Sequence, residues 1–217
     1  MKNRILWWGR ALMACVLMSG MAHADSFQFK EGQDFLTISS PINVAGISSP
    51  YIVEYLWLGC SHCQALNPLL AKYEKATPDV TIVRRPAIGR DRWVFDAHVF
   101  YALQASGHAE LIYPLMAFYH DFAASERRLP DRADLKTFLR QHQLDAQTFY
   151  RDMDSEATLE KLSLAYQDQN SLAIKGVPAF LVAGKYMVNL GAVSHAKDPN
   201  AYFTALLNYL LDKASKK

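Results

Sequence analysis

Apolar residues along this chain fall into two kinds of pattern. Short dense runs come first: Phe35 to Ile38, closed by Ser39-Ser40-Pro41, and Tyr51 to Leu58 (YIVEYLWL), interrupted only by Glu54. The second run has strand length and is rich in aromatic and β-branched residues, which predicts a central strand buried on both faces. After it the period changes. Cys63, Leu66, Leu70 and Tyr73 recur at spacings of 3, 4 and 3, one face of a helix with a kinking Pro68 inside it. Val80 to Val83 reads as the next strand. Strand, helix and strand with short links predict a βαβ unit and a parallel pair.

From Arg92 to about Leu172 no strand pattern recurs. Helical periods replace it: Phe95, Val99, Ala102 and Leu103, then Leu111, Leu115, Phe118 and Tyr119, then Leu135, Phe138, Leu139 and His142. A crossover helix needs only about a dozen residues. A stretch several times longer predicts an inserted helical subdomain. The strand pattern returns at Ala179 to Val182, turns at Gly184-Lys185 and runs on from Tyr186 to Leu190. A last helix is expected from about Pro199 to Asp212. The expected organisation is therefore an α/β fold in two parts, residues 25–90 and 173–217, separated by a helical insertion over 91–172.

The first 24 residues do not fit that fold. Lys2, Arg4 and Arg10 precede the apolar run Ala11 to Met18, and Ala22-His23-Ala24 ends in small residues at the two positions a signal peptidase reads. This is the layout of a cleaved secretory signal, with cleavage expected after Ala24. A membrane anchor is disfavoured because the run is shorter than the about 20 residues a spanning helix needs. A lipoprotein signal ending at Cys15 is disfavoured by Met13 and by the very short apolar run it would leave. Residues 25–217 carry 20 basic and 21 acidic groups, a balance that argues against nucleic acid as a partner. They keep two cysteines, Cys60 and Cys63, too few for a disulfide-stapled scaffold. No nucleotide-binding glycine loop, phosphate loop or serine-hydrolase elbow occurs in the sequence.

Cys60-Ser61-His62-Cys63 stands where the buried strand gives way to the helix. Unpaired amides and the positive dipole end at a helix start favour an anion. Cys60, expected to be the more exposed thiol, should therefore have a lowered pKa, with Cys63 one turn deeper and within bonding reach. A stabilised thiolate makes the disulfide form a stronger oxidant. His62 and Ser61 are candidate tuning residues, with an exposed polar turn residue as the plain alternative for His62. Two other uses of the cysteines compete with redox chemistry. Structural zinc needs four ligands, and the scattered His98, His108, His120, His142 and His195 do not offer the usual spacing. A static bridge across so small a loop stabilises little.

In these residues the chain resembles the DsbA family of bacterial periplasmic thiol:disulfide oxidoreductases, a thioredoxin-fold group with an inserted helical domain. The resemblance rests on the run from Glu54 to Cys63, on Pro68, on Lys175-Gly176-Val177-Pro178 before a strand, and on the Gly184-Lys185-Tyr186 hairpin. It implies that Cys60 and Cys63 form a redox-active disulfide. Pro178 would be a cis-proline facing that disulfide, and Val177 would contribute to the substrate groove. Glu54 would be a buried acid serving Cys63, against the plain alternative of a solvated strand-edge residue. Trp57, with Leu58 and Gly59, reads equally as a client-binding rim or as core packing. Ser61 departs from the proline many relatives carry, and Asn67 stands where some have an acid; both bear on oxidising strength and substrate range.

The expected function is introduction of disulfides into exported proteins in the periplasm, by a monomer that needs no bound cofactor or metal. Reduced or unfolded exported proteins and a quinone-linked membrane reoxidant of the DsbB type are the implied partners. A reductase or isomerase, a peptide-binding chaperone and a metal carrier are the alternatives. Arg84-Arg85, Lys161 and the C-terminal lysines are expected to form solvated surface.

Overall fold

The structure is a computed structural model that describes residues 27–44, 47 and 50–216. The expected signal segment, Cys15 included, lies outside the described residues. Five strands form one sheet: β1 (Phe35–Thr37), β2 (Tyr51–Leu56), β3 (Thr81–Pro86), β4 (Ala179–Val182) and β5 (Tyr186–Val188), in the order β1-β5-β4-β2-β3. β2 pairs parallel with β3 and antiparallel with β4; β5 is antiparallel to both β4 and β1. All six residues of β2 are buried, as its unbroken apolar pattern requires for a strand flanked on both sides and covered on both faces. Its one charged residue, Glu54, lies in register with Arg84 on β3 and Phe180 on β4.

Helix α1 (Ser61–Ala76) links β2 to β3 and continues through Pro68. Between β3 and β4 the chain builds α2 (Asp91–Ala105), α3 (Ile112–Glu126), α4 (Leu135–Gln141), α5 (Ala146–Met153) and α6 (Glu156–Ser171). Local chemistry sets the boundaries. Asp145 and Ser155 cap α5 and α6 by accepting from the amides of Thr148 and Thr158. α3 stops where Arg127 takes a left-handed backbone, φ 58°. After the β4–β5 hairpin come α7 (Leu190–Ser194), a short helix the sequence pattern did not announce, and α8 (Pro199–Ser215), capped by Asp198.

The apolar interior is divided. One cluster packs Phe35, Ile52, Leu70, Phe180 and Val182 against Phe203, Leu206 and Leu210 of α8. Another takes Leu56, Leu58, Cys60 and Cys63 from the β2–α1 region and packs them against Phe100, Leu115, Tyr119 and Phe138 of the insertion. The reactive thiols thus sit on the cap side of the sheet.

Two expectations need correction. The apolar run ends as a strand at Leu56, because Trp57 to Gly59 form a turn in which the Cys60 amide donates to the Trp57 carbonyl at 3.0 Å. Arg84 and Arg85 are not solvated surface. Their side chains are 13% and 18% exposed, Arg84 beside Glu54 and Glu74 and Arg85 paired with Asp168. A strand flanked by the insertion has little room for solvated cations, so each finds a carboxylate.

Candidate active site

Cys60 is the N-cap of α1. Its extended backbone, φ −84° and ψ 112°, aims Sγ back at the first turn, where the Cys63 amide donates to it at 3.2 Å. An N-cap accepts from amides that have no partner within the helix, and here the acceptor is sulfur. The thiol is pulled from the ordinary 9.0 down to about 6, first by hydrogen bonding from Cys63, against the opposing effect of burial, with the backbone amides of Cys63 and His62 and the charge of His62 adding to the pull. Cys63 is fully buried, and the bond to Cys60 together with burial drives its thiol far up. The two sulfurs are free thiols of opposite character, one readily ionised and one held protonated. Cys60 itself is only 7% exposed, less open than its place at the head of the helix suggested. His62 and Ser61, by contrast, are exposed in the first turn.

The Val177–Pro178 peptide is cis, and the Val177 carbonyl accepts from Cys60 Sγ at 3.6 Å. Val177, remote in sequence, is thereby brought to the reactive sulfur, with the cis-proline next to it in the chain. Gly59, next to Cys60, leaves room for the Trp57 indole. A Cβ there would lie 2.7 Å from the Trp57 ring and 3.0 Å from Leu129, so the indole folds back over a position only glycine leaves open.

Beneath the pair, Glu54 is fully buried on β2, which excludes the solvated edge reading. Neither of its oxygens makes a hydrogen bond; Arg84 Nε lies 3.3 Å away without the alignment for one. Burial outweighs the guanidinium and raises the carboxyl from 4.5 to about 7. Arg84 in turn is shared. It donates to Glu74 at 2.9 Å and to the hydroxyl of Tyr113, which donates to Glu74 at 3.0 Å. Glu54 also bears on both thiols, its charge raising Cys63 and the Cys60 charge raising Glu54.

Trp57 is packed against the insertion and also borders a cavity. Its ring stacks on Trp93 at 5.0 Å and its Nε1 donates to the buried Asp96 at 2.6 Å. It also lines a cavity of about 540 Å³ with Ile88, Trp93 and Val177. Sequence reasoning missed Trp93, Asp96 and Arg84, each defined by a contact with a distant part of the chain. It also left His120 among scattered histidines. That ring, on α3, has its Nε2 buried without a hydrogen bond, and burial lowers its pKa against the opposing effect of the Cys60 backbone. Among the described residues no group of three or more His, Cys, Asp and Glu side chains could hold a metal ion. No helix among the described residues is long and apolar enough to cross a membrane.

An easily ionised cysteine at a helix start, a deeper protonated one a turn away, and a cis-proline loop against the first sulfur make a dithiol–disulfide exchange centre; the chain is a thiol:disulfide oxidoreductase. The family model for the DSBA-like thioredoxin domain matches residues 95–201. The thiol:disulfide interchange protein DsbA of Pseudomonas aeruginosa is 28% identical over 227 residues, covering 100% of both chains, and that of Burkholderia cepacia is 26% identical, covering 81% and 82%. The crystal structure of P. aeruginosa DsbA superposes with a TM-score of 0.74 at 26% identity, covering 87% of this chain and 97% of that one. Over its whole length the chain is similar to DsbA proteins, and it has their thioredoxin-like fold with a helical insertion.

Proposed function

We propose that this protein works in the periplasm as an oxidant, inserting disulfides into exported proteins through Cys60 and Cys63. A substrate thiolate attacks Cys60 Sγ of the oxidised enzyme. The Cys60–Cys63 bond breaks, a mixed disulfide forms between substrate and Cys60, and Cys63 leaves with the bonding electron pair. Glu54, whose carboxyl lies near neutrality, supplies the proton that the departing Cys63 sulfur takes up. A second substrate thiolate then attacks the substrate sulfur of the mixed disulfide and expels Cys60 as a thiolate. The substrate has lost two electrons and two protons. Both protons go to solvent, from which Glu54 recovers the one it gave to Cys63, so the enzyme has gained two electrons and one proton.

The observation that carries this direction of flow is the N-cap position of Cys60 Sγ, accepting from the Cys63 amide at 3.2 Å. Stabilising the thiolate favours the reduced enzyme, so electrons enter from clients. His62 and Ser61 tune that thiolate, and Val177 and Pro178 hold the client chain in an extended form beside it, with Trp57 as an apolar wall. Residues 25–90 and 173–217 supply the redox unit and 91–172 its cap. The segment before residue 25 directs export. A DsbB-type membrane partner, linked to quinone, restores the disulfide; the protein itself acts as a monomer and its cysteines carry the electrons without another cofactor.

Equilibration against glutathione buffers, read out by thiolate absorbance, tests the proposal. An oxidising potential together with a Cys60 pKa near 6 is the expected result. A strongly reducing potential with an ordinary thiol pKa would overturn the direction while leaving the exchange chemistry intact. Cys60→Ser should abolish disulfide transfer, which separates this reading from a holding chaperone.

A further inference from the structure

We propose that the cavity beside Cys60 is a specificity pocket, taking from the reacting client segment a large aromatic or apolar side chain that has an acidic neighbour. The inference rests on the oxidase reading above and adds a substrate class to it.

Position comes first. Two walls of the cavity are tied to Cys60: the Trp57 carbonyl accepts from its amide at 3.0 Å and the Val177 carbonyl accepts from its Sγ at 3.6 Å. A side chain seated there belongs to the same short segment as the attacking thiol.

Shape comes second. The Trp57 and Trp93 rings stack with 20° between their planes, and Asp96 fixes the Trp57 indole at 2.6 Å. The Gln169 side chain, also lining the cavity, is pinned to Ile88 by two bonds, accepting from its amide at 2.8 Å and donating to its carbonyl at 2.7 Å. The walls are built before any client arrives, so little ordering cost falls on binding. A volume of about 540 Å³ admits an aromatic side chain with part of its backbone. An indole floor favours apolar and aromatic groups.

Charge comes third. Arg90 and Lys175 line the same cavity, both are exposed, and neither is in an ion pair among the described residues. The nearby Arg84, Arg85 and Arg92 are all paired with carboxylates. Arg90 is also the N-cap of α2 and makes no side-chain cap bond, so the positive end of that helix adds to the two cations. Asp91, in the first turn of α2, is not among the lining residues. An apolar floor under an uncompensated positive rim is complementary to an aromatic–acidic pair and repels an aromatic–basic one.

The test uses the oxidised full-length protein in single-turnover oxidation of dithiol peptides of one length. They carry Trp-Asp, Trp-Lys or Ala-Asp beside the first cysteine. At low salt the Trp-Asp peptide should react about tenfold faster than Trp-Lys, from two rim charges acting together. In the Arg90→Glu, Lys175→Glu double variant that ratio should fall below one. Trp93→Ala should remove the advantage of Trp-Asp over Ala-Asp while keeping that of Trp-Asp over Trp-Lys. Equal rates for the three peptides with the unaltered protein would overturn the pocket and leave the oxidase reading standing. An Asp-over-Lys preference that survives charge reversal would overturn it too. Failure to oxidise any of the peptides would overturn both.

Discussion

Two buried carboxylates flank the active site, and they live under opposite conditions. Asp96, on α2 of the insertion, is 1% exposed and accepts from Trp57, from Tyr119 at 2.9 Å and from Arg92 at 2.6 and 3.0 Å. Glu54, on the central strand, is 0% exposed and accepts no hydrogen bond. Burial raises the pKa of both, and in Asp96 the Arg92, Trp57 and Tyr119 bonds work against the rise. A buried charge with every lone pair engaged fixes geometry; one left unengaged is ready to change protonation. The flank of the site is therefore a clamp on Trp57, and its underside is a proton reservoir.

The largest effect that could break this contrast is Asp96→Ala. It strands the Arg92 guanidinium, the Trp57 N–H and the Tyr119 hydroxyl, and should cost about 3–5 kcal/mol in urea denaturation. A loss below about 1 kcal/mol would mean that the four bonds do not act together. Glu54→Gln should go the other way. The carboxyl's folded pKa, about 7, exceeds its ordinary 4.5. The penalty for burying it is thus absent below the lower value, grows as pH rises between the two, and is full above the higher. The variant should gain about 2–3 kcal/mol over wild type in mildly alkaline buffer and nothing in acid, while releasing Cys63 more slowly.

A third measurement adds the thiolate to the comparison. Cys60 has a folded pKa lowered from 9.0 to about 6. Its contribution to the stability of the reduced protein is present above the unfolded value and lost as pH falls through the folded one. Near neutrality the reduced protein should exceed its Cys60→Ser variant by roughly 1–2 kcal/mol, and in acid by nothing, as seen in paired denaturation curves. Trp57→Phe is the smallest change. It removes one donor from Asp96 and keeps the ring, so stability should drop by about 1 kcal/mol.

What the sequence disclosed and what it withheld divide along contact range. The cysteines stand at the junction of a strand pattern and a helix pattern, both local, so the site's centre was readable from neighbours in the chain. The helical insertion was readable for the same reason, from sustained periodicity. Arg84 and Arg85 looked like surface because two adjacent arginines on a strand give no sign of the carboxylates that meet them from α1 and α6. Asp96 is hidden in an apolar helix run, and its partner Trp57 lies 39 residues away. Gln169 and Ile88 are 81 apart. Helix α7 is a single short segment, too brief for a period to register.

The division of the interior has a practical consequence for anyone wishing to miniaturise this enzyme. Leu56, Leu58, Cys60 and Cys63 share their cluster with Phe100, Leu115, Tyr119 and Phe138, not with α8. Excising the five-helix lobe would uncover the sulfurs on the side where they are now dry, and water admitted there would take away the burial that helps hold Cys63 protonated. The smallest working version of this catalyst keeps its lid.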